Sequence, residues 1–145
     1  MALIEGTAFG ARVIMERIQE YGVPVSEVVT CGGLAERNPF LMQIYADVTG
    51  RPMKVSRSAQ TCALGAAMFG AVAAGHFANA AEAQVKMSGL KDVLYTPNPQ
   101  NTRVYDRLYA LYRKLHFAFG TRTYTESLYP VMKELLEIKR AALGS

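Results

Sequence analysis

From Ala2 to Tyr21 apolar positions recur at helical spacing, with Leu3, Val13, Ile14 and Ile18 on one side and Arg12, Glu16, Gln19 and Glu20 toward the other. Gly22 and Pro24 then read as a helix stop. The pattern changes at Val25-Ser-Glu-Val-Val-Thr30, whose β-branched second half runs into Cys31-Gly32-Gly33 and predicts a buried strand entering a glycine turn. Asn38 is placed as an N-cap, Pro39 suits a first helical turn, and Phe40, Leu41, Ile44, Tyr45 and Val48 supply a helical apolar face up to Gly50. Pro52 to Val55 predicts a second short strand.

The run from Cys62 to Gly75 is apolar on nearly all sides and predicts a buried helix. Glycines within it, Gly65 and Gly70, cost about 1 kcal/mol each relative to alanine, so close approach of another element or a ligand is expected to offset them. Beyond Gly75, Ala80 to Met87 reads as a short helix and Tyr95 to Pro99 as a loop. A long helix follows from Arg103 to Phe119, striped by Tyr105, Leu108, Tyr109, Tyr112 and Leu115. A last helix spans Leu128 to Leu143 on Leu128, Val131, Leu135 and Ile138. Helix, strand, glycine turn, helix, strand and helix make an α/β alternation. The opening straight into a core helix at Leu3 is expected of a piece of a larger domain.

Composition changes this picture little. Half of the 145 residues are hydrophobic and 19% are charged, which is globular composition. The net charge of +4 is scattered over Arg12, Arg17, Arg37, Arg51, Lys54 and Arg57, so it reads as a solvated surface and not as a nucleic-acid stripe. Cys31 and Cys62 lie in apolar stretches without metal or disulfide spacing, and are expected to be buried, inert thiols of a reducing compartment. No signal pattern opens the chain, and no run suits a membrane span, so a cytoplasmic location is expected.

Candidate chemistry is sparse. The turn from Val28 to Phe40 removes side-chain bulk at Gly32 and Gly33 and offers backbone amides near a helix start, a setting for phosphate oxygens. On pattern alone it reads as a plain tight turn before it reads as a nucleotide site, and it matches neither the dinucleotide fingerprint nor the Walker A loop. His76 and His116 are far apart and lack a paired carboxylate or nucleophile. Asp47 is expected to face away from any constellation, and the tyrosine stripe is expected to pack.

Three blocks in order carry more. Ala2-Leu-Ile-Glu-Gly-Thr-Ala-Phe-Gly10, Cys31-Gly-Gly-Leu-Ala-Glu-Arg-Asn-Pro-Phe-Leu-Met-Gln-Ile-Tyr-Ala-Asp-Val-Thr-Gly50 and Ser58-Ala-Gln-Thr-Cys-Ala-Leu-Gly-Ala-Ala67 resemble consecutive blocks of the FGGY carbohydrate kinases. The wording from Met42 to Val48 and the tail from Tyr105 to Gly120 are most similar to the ribulokinase branch of that family.

The resemblance implies part of the C-terminal lobe of an actin-like (ribonuclease H-like) ATPase over residues 1–95, followed by a C-terminal helical extension over 96–145. It implies ATP with Mg2+ and a small sugar as ligands of the full-length enzyme; from charge and hydropathy no nucleic-acid or membrane partner is expected, and an apolar patch left uncovered on the first helix or on the helix from Cys62 to Gly75 is expected to drive self-association. By the same match Gly32 and Gly33 approach the adenosine and α-phosphate, while Leu34 and Asn38 line the adenine side. A kinase of that branch moves the γ-phosphoryl of ATP onto the terminal hydroxyl of ribulose. The family's catalytic aspartate and sugar contacts belong to blocks absent here, and Asp47, Asp92 and Asp106 match none of them, so the chain by itself is expected to be inactive. The alternative is a free-standing, non-catalytic interaction or regulatory module. A dinucleotide-binding protein is disfavoured by the missing triple-glycine fingerprint.

Overall fold

The structure, a computed structural model, describes residues 1–144. Among these residues seven helices and three strands run in the order α1 (Ala2–Glu20), β1 (Val28–Thr30), α2 (Gly33–Arg37), α3 (Pro39–Thr49), β2 (Met53–Ser56), α4 (Thr61–Ala73), α5 (Ala80–Met87), β3 (Leu90–Tyr95), α6 (Pro99–Gly120) and α7 (Tyr129–Leu143). The molecule is mixed α/β, mostly helical with one small sheet ordered β1-β2-β3. β1 and β2 are parallel, with Val28 opposite Met53 and Thr30 opposite Val55. β3 runs antiparallel to β2, with Met53 opposite Tyr95.

α3 organises the core because both of its sides are buried. Ile44 and Val48 pack with Ala8 and Phe9 of α1 and with Tyr105 and Tyr109 of α6. Met42 and Ala46 pack with Ala35 of α2 and with Met53 and Val55 of β2. Asn38 caps the helix by accepting from the Leu41 amide at 3.0 Å, and Gly50 ends it at φ +63°, a backbone conformation that suits glycine. A third cluster of Leu111, Val131 and Ile138 joins α6 to α7.

The sequence places most elements within a few residues, and the differences have physical causes. The core side of α1 is Ile4, Ala8, Phe9 and Val13, whereas Leu3, Ile14 and Ile18 are exposed. α1 therefore carries two apolar stripes, and the one facing α3 and α6 is the one the aromatic rings of α6 fill. Arg12, expected on the solvent side, bonds the Val48 carbonyl at 2.9 Å and Asp106 at 2.7 Å, and its guanidinium lies over the Tyr109 ring at 4.1 Å.

α4 forms where expected, but none of its residues is buried, and nothing lies within 4 Å of a Cβ built at Gly65 or Gly70. Its apolar surface packs mainly on α5 and is otherwise uncovered. Cys31 and Cys62 are likewise exposed, not buried, because the sheet edge and the helix that carry them lack a covering layer. β3 falls where no strand was expected, since Leu-Lys-Asp-Val-Leu-Tyr has no clean two-residue alternation. Among the described residues no helix is long and apolar enough to cross a membrane.

The Asp47 expectation also changes. Its carboxylate is 2% exposed and accepts from Gln43 Nε2 at 2.8 Å, the Asn98 amide at 2.7 Å and Asn101 Nδ2 at 2.8 Å. One buried anion thus ties the end of α3 to the start of α6, where the helix dipole favours negative charge. Asp47→Ala strands these donors and should cost about 2–4 kcal/mol of stability in denaturant titration, against under about 1 kcal/mol for Asp106→Ala at the half-exposed Arg12 pair. Equal costs would contradict the assigned role of Asp47.

The α1–α6 seam also predicts an alkaline response. Burial first, then the Glu5 carboxylate that accepts its hydroxyl at 3.2 Å, push Tyr105 up to about 12. Tyr109 is raised in the same way by burial and by Glu16, its acceptor at 2.6 Å. An unfolded tyrosine titrates near 10, so the folded chain holds the proton more tightly and stability should fall from about pH 10 to about pH 12. Urea midpoints measured at about pH 9 and about pH 11.5 should fall less for Tyr105→Phe than for the parent chain. Parallel losses would show that Tyr105 carries none of this dependence.

Candidate nucleotide-facing turn

Three local devices position the glycine turn. β1 is registered on β2 by the parallel ladder and by the Thr30 hydroxyl, which donates to the Lys54 carbonyl at 2.8 Å. Gly32 then turns the chain at φ +89°, a left-handed conformation that β-carbon-bearing residues rarely adopt. α2 starts at Gly33 and is seated by Ala35 in the sheet-side core. Lys91 on β3 holds Glu36 at 2.5 Å, and the hydrogen bond and positive charge together lower the Glu36 carboxyl from its ordinary value. The short helix is thereby tied to both the core and the far strand.

The turn lies at the carboxyl end of a parallel strand, the end of an open α/β sheet where ligands are received. Because β2 is parallel to β1, the segment from Arg57 to Gln60 and the start of α4 leave from the same end. No side chain caps the start of α2. A Cβ built at Gly32 or at Gly33 meets nothing within 4 Å, so the side-chain positions of the turn face open space. Leu34, 72% exposed, presents an apolar side chain beside them.

Asn38 joins two helices: its amide closes on the Leu34 carbonyl at 3.1 Å, and its side-chain oxygen caps α3. That use occupies Oδ1 and leaves Nδ2 without a protein acceptor among the described residues. The structure therefore brings Gly32, Gly33, Leu34 and Asn38 into one short stretch between β1 and α3. Chemically, the stretch offers backbone donors, one apolar side chain and one amide donor.

Other candidates stay outside this turn. His116 is exposed and stacks on Tyr112 with centroids 6.0 Å apart. Asp106 is engaged with Arg12, and Asp92 is exposed on β3. Among the described residues no group of three or more His, Cys, Asp or Glu is arranged to hold a metal ion. The residue missed by sequence reasoning is Asp47: an aspartate in the last turn of a helix opposes the dipole and calls for a compensating partner, but the local sequence does not say which.

The model of the C-terminal domain of the FGGY family of carbohydrate kinases matches residues 1–74. The ribulokinase of Bacillus licheniformis is 45% identical over 142 residues, covering 95% of this chain and 25% of that protein. The ribulokinase of Mycolicibacterium smegmatis is 46% identical over 144 residues, with 99% of this chain and 25% of that protein covered. Among solved structures, a xylulose kinase from Lactobacillus acidophilus superposes with a TM-score of 0.68 at 26% identity, over 85% of this chain and 24% of that one. The chain spans about a quarter of the length of the curated relatives it matches. By the family model that covers its first half, its glycine turn included, the chain belongs to the FGGY family of carbohydrate kinases.

Proposed function

We propose that this chain is the nucleotide-facing C-terminal part of an ATP-dependent sugar kinase of the ribulokinase type. The observation that carries the reading is the unobstructed Gly32-Gly33 turn at the carboxyl end of β1, in a chain of this family. In the proposed complex the amides of Gly33 and Leu34 donate to the α-phosphate and ribose oxygens. The Leu34 side chain lies against the adenine ring, and Asn38 Nδ2 donates to a ring acceptor. Residues 1–95 belong to the actin-like lobe and residues 96–145 to its helical extension; Ser145 lies outside the described residues. The parent enzyme transfers the γ-phosphoryl group of ATP to a terminal hydroxyl of ribulose, in the cytoplasm.

Among the described residues no cluster of carboxylates, histidines or cysteines is arranged as a magnesium site. The ion is assigned to the ATP phosphates and to residues outside this chain, and no step is routed through it here. The base is assigned outside as well. Asp47 is consumed by its three donors, and Asp106 by Arg12. Phosphoryl transfer requires base, metal and phosphate clamps together, so the 145-residue chain alone turns nothing over.

The test uses a chimera, the Bacillus licheniformis ribulokinase with its matching stretch replaced by this chain. Gly33 has room for a side chain and no positive φ, so Gly33→Val should leave the melting temperature nearly unchanged. It should raise KM for ATP about tenfold, a loss near 1.4 kcal/mol, while KM for ribulose stays within about twofold. Gly32→Val, forced to hold φ +89°, should instead cost about 1–3 kcal/mol of stability. An unchanged KM for ATP in Gly33→Val would remove the nucleotide role of this turn. Ribulose phosphorylation that tracks the purified 145-residue chain would remove the claim that it lacks the base.

A further inference from the structure

The helix that opens at the glycine turn does not support itself. α2 is five residues long, no side chain caps its start, and Ala35 is its one buried residue. Helices this short do not persist without tertiary contacts. Its backbone frame is a bond from the Glu36 amide to the Gly32 carbonyl at 3.3 Å and one from the Asn38 amide to the Leu34 carbonyl at 3.1 Å. α3 holds the Asn38 end through its cap. The orientation of α2, which decides where the Gly33 and Leu34 amides point, is left to Ala35 and Glu36.

Lys91 of β3 meets Glu36 at 2.5 Å and is the only cation within ion-pair distance of it among the described residues. β1 feeds the turn, and β2 stands between β1 and β3. Because β3 is antiparallel to β2, its first residues lie beside the last residues of β2, at the end of the sheet where the turn sits. α2 therefore crosses that end of the sheet to reach its partner.

The ladder is irregular at this point. From the Lys54–Leu94 pair to the Ser56–Leu90 pair, β2 advances two residues and β3 advances four. Lys91, Asp92 and Val93 thus stand against Val55 alone, and a bulge of this kind re-aims the side chains it contains. Outside the bulge, β3 is held at both ends. The Arg57 amide donates to the Gly89 carbonyl at 2.9 Å, and the Arg57 guanidinium donates to the Ser88 carbonyl at 3.3 Å. Gly89 makes room for that guanidinium, since a Cβ there would fall 2.9 Å from Arg57 Cζ. At the other end Gln43 Nε2 donates to the Thr96 carbonyl at 2.9 Å. Lys91 is presented to α2 from a fixed strand.

We propose that Lys91 is a positioning residue for nucleotide binding: from the bulge of β3 it fixes Glu36 and thereby aims the Gly33 and Leu34 amides. The proposal rests on reading this turn as nucleotide-facing, and it adds the contact that adjusts the affinity of the turn. Glu36 lies within residues 1–74, which match the family model, and Lys91 lies beyond them. The later part of the chain therefore reaches back to trim a turn carried by the family domain. The Lys91 and Glu36 side chains stay 30% and 36% exposed, so the pair is a contact of modest strength and not a buried lock.

In the chimera, Lys91→Met should raise KM for ATP about fourfold and leave KM for ribulose nearly unchanged. The melting temperature should hold, because β3 is kept in the sheet by backbone bonds. Glu36→Gln should act alike, and the double variant should do no more than either single change, the mark of two residues working through one contact. Lys91→Arg, which keeps the charge, should hold KM for ATP within about twofold of the parent. In the 145-residue chain without nucleotide, hydrogen exchange of the peptide from Gly33 to Arg37 should quicken at least about threefold in Lys91→Met. Rises in KM for ATP that add across the two substitutions, or equal rises for ATP and ribulose, would overturn the proposal. Gly33→Val separates it from the reading beneath it. If Gly33→Val raises KM for ATP and Lys91→Met leaves it within about twofold, the turn binds nucleotide and Lys91 does not position it. If neither change moves KM for ATP while α2 still exchanges faster in Lys91→Met, the ion pair holds the helix, but the nucleotide reading fails and the proposal with it.

Discussion

The two-sided burial of α3 is the constraint from which the rest of this structure follows. One side of the helix seals an aromatic core with α1 and α6, and the other seals the sheet. A helix gripped in this way cannot slide or rotate without opening one of two close-packed cores, and such cores tolerate little displacement. Its N-cap is Asn38, which is also the residue that ends α2 and with it the glycine-turn segment. The position of the turn is therefore inherited from packing further along α3, and the turn needs little structure of its own.

Polar chemistry is used to fasten this arrangement at its edges. Asp47 joins the end of α3 to the start of α6, Arg12 bridges α1 to α3 and α6, and Glu16 receives the Tyr109 hydroxyl. Each charged group at this seam is met by a hydrogen-bonding partner, which is the condition for burying such groups at tolerable cost. The turn itself has the opposite character: its glycines leave space, its amides lack a side-chain cap, and its cysteine is exposed. A closed seam beside an open turn is the expected division of labour when a scaffold positions a ligand loop.

How much of this is legible in the sequence depends on how local the signal is. The helix from Pro39 to Thr49 is written in its cap, its periodic apolar positions and its terminal glycine, and α5 and α7 are nearly as plain. The glycine turn is legible as a turn, and the three consecutive sequence blocks point to the family. The face of α1 is not legible, because Leu3, Ile14 and Ile18 form a second stripe as convincing as the buried one. Periodicity cannot say which stripe meets a partner. α4 reads as buried since its composition is that of a core, but burial depends on neighbours this chain does not provide. The role of Asp47 needs Asn98 and Asn101, about fifty positions away, and no local pattern announces contacts at that separation.

On the proposed reading the Gly32-Gly33 turn receives the nucleotide. Hydrogen exchange on the chimera, with and without ATP and in the absence of ribulose, tests it most directly. ATP should slow exchange of the amides from Gly32 to Ala35 and leave those of α7 unchanged. If ATP protects other segments of the enzyme while the peptide from Cys31 to Asn38 exchanges at the same rate, the turn is a structural corner and the claim is wrong.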